Sequence, residues 1–78
     1  METATSGQNP VLEMILHLAF GQLRDGLYED ACATFSAARL MDMSDDRPLR
    51  GRAECYSQMK RDQLAASDVL QAQQLRQA

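Results

Sequence analysis

The sequence predicts an all-α chain of two stacked helix-turn-helix units, and three observations lead there. Apolar or small residues recur at a single offset of 34: Ile15 with Leu49, Ala19 with Ala53, Ala31 with Ala65, Phe35 with Val69, Ala38 with Ala72, and Met41 with Leu75. That period belongs to helical-hairpin solenoids. Within each segment the apolar residues return at intervals of three and four, the spacing of one helix face. No stretch alternates like a strand, and no Asn-Gly or Asp-Gly pair joins two β-branched runs.

The elements follow in order. Residues 1 to 9 are polar and small and read as a disordered tail, leaving one domain over 10 to 78. Asn9 and Pro10 mark a helix start, because Asn caps well and Pro is tolerated in the first turn. The first helix runs to about Arg24, with Val11, Leu12, Ile15, Leu18 and Ala19 as its inward stripe. Asp25-Gly26 ends it. A second helix spans about Tyr28 to Met41 and turns Ala31, Phe35 and Ala38 inward. Asp42 to Arg47 is a polar connection whose carboxylates cap the third helix. Pro48 opens that helix, which ends near Met59, and a turn at Lys60-Arg61 leads to a fourth over about Asp62 to Arg76.

Composition excludes several functions. Seventy-eight residues make one domain, of a size whose core rarely supplies more than ~3–5 kcal/mol. A net charge of −3 and a pI near 4.9 leave no basic stripe for nucleic acid. No apolar run approaches the roughly 20 residues of a membrane span, and the start lacks the basic and apolar regions of a signal peptide. A cytoplasmic protein is expected. Cys32 and Cys55 lack CxxC spacing and a nearby His, so both read as reduced packing residues. His17, the single histidine, has no nucleophile at helical spacing, and Asp42, Asp45 and Asp46 do not match a calcium loop. Met41 and Met59 are expected to pack, which leaves Met14 and Met43 as adaptable surface. Neither catalysis, a cofactor nor a metal is expected.

The register and its mixture of small and large residues are those of the tetratricopeptide repeat, whose product is a concave binding surface. The first helix of each pair forms the concave wall. The first repeat contributes Glu13, Leu16, His17, Phe20, Leu23 and Arg24, and the second Arg47, Arg50, Glu54, Ser57 and Gln58. With Ile15, Leu18 and Ala19 already assigned inward, Leu16, Phe20 and Leu23 make the first helix apolar most of the way round. Such a helix is buried on both sides, and the second side points to a partner. Solenoids need about three repeats for independent stability, so two should be marginal without self-association or a bound ligand.

Particular residues carry a closer likeness. The run Gly26-Leu27-Tyr28-Glu29-Asp30-Ala31, then Phe35-Ser36, Leu40-Met41-Asp42-Met43, Pro48, Ala53-Glu54-Cys55 and Gln58 resembles the tetratricopeptide chaperones of bacterial type III secretion systems. The likeness covers about residues 20 to 72. It implies a cytosolic chaperone that sequesters an apolar helical segment of a secreted subunit until export. The residue pattern leans to the translocator-chaperone group. The short length leans to the needle group, which works with a second small chaperone. Either way a protein client is implied, in a hetero-complex or with a homodimer. Four positions depart from the repeat: Gln22 replaces a Tyr, Met43 stands near the usual Pro, Arg52 replaces a packing Leu, and Lys60 stands where Gly usually turns the chain. The alternative is an adaptor that grips a charged peptide tail, with Arg47 and Arg50 as its carboxylate clamp.

Overall fold

The computed structural model describes residues 9–77. They form four helices: α1 Pro10–Arg24, α2 Tyr28–Met41, α3 Arg47–Gln58 and α4 Asp62–Gln77. Apart from Asn9, the tail expected over 1 to 9 lies outside the described residues. The Asn9 side chain accepts from the backbone N–H groups of Val11 (3.0 Å) and Leu12 (3.2 Å), and Pro10 opens α1, where an N–H would have no helical partner. At the start of α3 the loop carboxylates act one residue apart. Asp45 accepts from the Arg47 N–H at 2.9 Å, while Asp46 occupies the cap position without a capping bond from its side chain.

The 34-residue register extends to the turns. After α1, Asp25 N–H donates to Gly21, Gly26 to Leu23 and Leu27 to Gln22; after α3, Met59 donates to Cys55, Lys60 to Ser57 and Arg61 to Tyr56. The matching residues Gly26 (φ 82°) and Lys60 (φ 64°) both take the left-handed conformation that closes a helix. Gly adopts it freely and Lys does so against its Cβ, so the second turn carries a cost that the first does not.

α1 and α2 form one hairpin, α3 and α4 the other, and α3 lies across α2 with a lighter contact to α1. The core runs through Leu12, Leu16, Ala19, Ala31, Phe35, Ala38 and Cys55, with Ile15, Leu23 and Cys32 packed against it. Phe35 is its largest member and is fully enclosed. Its ring meets Phe20 edge to face, with centroids 4.8 Å apart. Gly51 of α3 sits directly on the ring: a Cβ at that position would fall well inside contact distance of three ring carbons. The missing side chain is what lets α3 approach.

Two expectations for α1 are corrected. Leu16, assigned to the wall, is 3% exposed and belongs to the core, while Leu18 and Val11, assigned inward, are 55% and 53% exposed. Both α2 and α3 cover the line through Leu12, Leu16, Ala19 and Leu23. Leu18 is one residue from Ala19 and so about 100° round the helix, on the far side from those two neighbours. Met41, expected to pack, is also partly exposed at 39%.

Arg52, the departure from a packing Leu, has a partner that the repeat pattern does not announce. Its guanidinium donates to both Asp68 oxygens at 2.7 and 2.8 Å and to Ser36 Oγ at 2.9 Å, and it lies 5.7 Å from the centre of the Tyr56 ring. Asp68 is 3% exposed, so this fork ties α3 to α4 and α2 from inside the fold. Asp68→Ala leaves a largely buried guanidinium unpaired and should cost about 3 kcal/mol in urea unfolding, whereas Arg52→Leu with Asp68→Ala together should recover much of that loss. Gly51→Ala should cost about 1–3 kcal/mol by overpacking Phe35, despite the better helix propensity of Ala. A melt equal to the parent would show that the ring has room to move.

Candidate functional site

The lighter contact of α1 with α3 sets the first-helix walls of the two repeats beside each other, joined by an ion pair between equivalent positions. Arg47 Nη1 and Nη2 donate to the two Glu13 carboxylate oxygens at 3.0 and 2.6 Å. The same guanidinium donates to Asp45 from Nε at 3.1 Å and from Nη2 at 2.7 Å. Arg50 pairs with Asp46 at 3.0 Å, one helical turn earlier, and Gln58 Nε2 donates to Glu54 at 3.0 Å. The two wall arginines of the second repeat, Arg47 and Arg50, are thus engaged within the chain.

The apolar part of the wall is smaller than the sequence implies. Leu16 is core and Leu23 is half-buried against it. Phe20 remains: 42% of it is exposed, while its inner edge rests on Phe35. His17 and Arg24 stand in solvent at either end. Arg50, Glu54 and Ser57 converge with Ala53 on one side of a cavity of about 380 Å³, whose other side is α4, through Ala65, Ala66, Val69 and Ala72. The contribution of α4 was not anticipated; the signal was the run of small residues at the repeat offset. A second apolar patch, formed by Met14, His17 and Leu18 next to Glu13, was hidden by the inward assignment of Leu18.

The electrostatics follow the ion pairs. Hydrogen bonds from Arg47 hold the Glu13 and Asp45 carboxyls below their ordinary values of 4.5 and 3.8, and the same bonds raise the Arg47 guanidinium further. Burial pushes the Cys55 thiol up to about 12 and the neighbouring Cys32 thiol upward, so neither is poised as a nucleophile. Among the described residues, no group of His, Cys, Asp and Glu is arranged to hold a metal, and no helix is long and apolar enough to cross a membrane. Because Glu13 and Asp45 titrate lower in the folded state, the stability they contribute is present above about pH 4.5 and is lost as pH falls. A series of melts should therefore be level near neutrality and drop below that pH, with a shallower drop for Arg47→Ala.

No family model and no curated protein matches the chain. Among solved structures, the type III secretion translocator chaperone SycD of Yersinia enterocolitica, crystallised as an alternative dimer, matches with a TM-score of 0.84 and 30% identity. The match covers 91% of this chain and 54% of SycD, so the chain spans about half the length of that chaperone. The likeness read from residues 20 to 72 is borne out: in sequence and in fold, this chain is similar to the tetratricopeptide-like chaperones of type III secretion.

Proposed function

We propose that the chain is a bacterial cytoplasmic chaperone that sequesters an apolar helical segment of a secreted type III subunit, needle or translocator, until export. The observation that carries this reading is Phe20, held against Phe35 with its outer part open to solvent. An aromatic ring fixed from behind loses little freedom on binding, which suits it to anchor an apolar partner. The mechanism is steric. Covering the client's apolar surface prevents polymerisation or membrane insertion, and no nucleotide is consumed.

The same geometry speaks against a carboxylate clamp. Arg47 is already bonded to Glu13 and Asp45, and Arg50 to Asp46, so an incoming carboxylate would have to displace internal partners. The similarity to SycD, itself a translocator chaperone solved as a dimer, supports a protein client and association with further chains. A second small chaperone belongs to the needle version of this proposal.

Calorimetric titration against the needle and translocator subunits of the same secretion system tests it. Phe20→Ala should weaken binding by roughly thirtyfold, equivalent to about 2 kcal/mol. Arg50→Ala, on an exposed rim, should change affinity little and mainly alter its salt dependence. If Arg47→Ala and Arg50→Ala abolish binding while Phe20→Ala retains it, the client is a charged tail and the proposal fails.

A further inference from the structure

The contacts that seat α3 on the first repeat each have a counterpart 34 residues away, and those counterparts lie uncovered at the two ends of the stack. Gly51 of α3 rests on the Phe35 ring, Arg52 donates to Ser36 Oγ at 2.9 Å, and the Cys55 thiol lies against that of Cys32. Moved back one repeat, the α3 side becomes His17, Leu18 and Gly21 on α1. Moved forward, the α2 side becomes Val69, Leu70 and Ala66 on α4.

The substitutions are matched across this absent contact. Where Phe35 is large and Gly51 has no side chain, Val69 is smaller and His17 larger, so bulk passes from one side to the other. Where Arg52 and Ser36 are both polar, Leu18 and Leu70 are both apolar, and each is 55% exposed. Two thiols give way to Gly21 and Ala66, both small. The seat itself is the 380 Å³ cavity between α3 and α4, whose floor of alanines is the counterpart of the surface that α3 covers on the first repeat.

We propose that a second copy of this chain docks head to tail, its α1 taking on α3 and α4 the place that α3 takes on α1 and α2. The contact is heterologous, so each added copy leaves one open end of each kind and the superhelix elongates with concentration. It would also lengthen the concave wall without using Phe20. The inference goes beyond the client-binding proposal, and its test involves no client.

Sedimentation of the isolated chain over a wide concentration range, with two end-blocking variants, decides it. The parent should gain mass continuously with concentration. Leu18→Glu blocks the α1 end and Leu70→Glu the α4 end, so each alone should remain monomeric; their equimolar mixture should form a complex of two chains and nothing larger. Both side chains are half exposed, and circular dichroism melts verify folding. Met14→Glu with Val69→Glu provides an independent pair. A parent that stays monomeric throughout overturns the proposal, as does a mixture that does not pair. Self-association of either single variant would show a contact between like ends and overturn it equally.

Discussion

The Phe35 ring under Gly51 is the constraint on which the rest of the structure depends. Three helices meet there: α2 supplies the ring, α1 supplies Phe20 against its edge, and α3 passes over it where a glycine removes the Cβ. Apolar burial draws helices together without direction, whereas a flat ring enclosed on all sides admits few arrangements of its neighbours. α2, with the lighter contact of α3, settles which residues of α1 lie inside: Leu16 and Ala19 are buried, Leu18 is left outside, and Phe20 is held half in and half out. The feature read as functional is thus a direct product of the feature that holds the repeats together.

Polar contacts then fix the register that apolar packing leaves loose. The buried fork from Arg52 to Asp68 and Ser36 joins α3 to both α4 and α2, and the bidentate Arg47–Glu13 pair joins equivalent turns of the two first helices. Such bonds are directional and costly to leave half made, so they act against sliding of one hairpin over the other. They have a functional consequence as well. Arginines spent on internal carboxylates are not offered to a ligand, which leaves the aromatic edge as the distinctive feature of the wall.

Much of this was legible in the sequence because a solenoid repeats its physics. The offset of 34 located four helices with ends within about a residue or two, and it marked Lys60 as a turn position before its left-handed conformation was known. What the offset could not say is which side of α1 faces in. Val11, Leu12, Ile15, Leu16, Leu18, Phe20 and Leu23 make that helix apolar nearly all round, and periodicity alone does not choose among such faces. Covering by α2 and α3 chooses, and the approach of α3 depends on Gly51, which in a sequence reads only as a weak helix former. Asp68 was missed for a related reason: a carboxylate on an outer helix looks solvated until the arginine 16 residues earlier turns toward it. The open seat on α4 needed both repeats in view at once, since Val69 is exposed where no described helix stands as α3 stands over Phe35.

The central claim is that the wall built from α1 and α3 receives an apolar helix of a secreted subunit. Site-specific photo-crosslinking tests it most directly, with the crosslinker placed at Arg24 or Ser57 on the wall and at Ala33 or Ala37 on the exposed side of α2. In the presence of the needle or translocator subunit, the first two positions should give adducts and the second two none. Adducts from Ala33 and Ala37 alone would place the client on the outer face and contradict it.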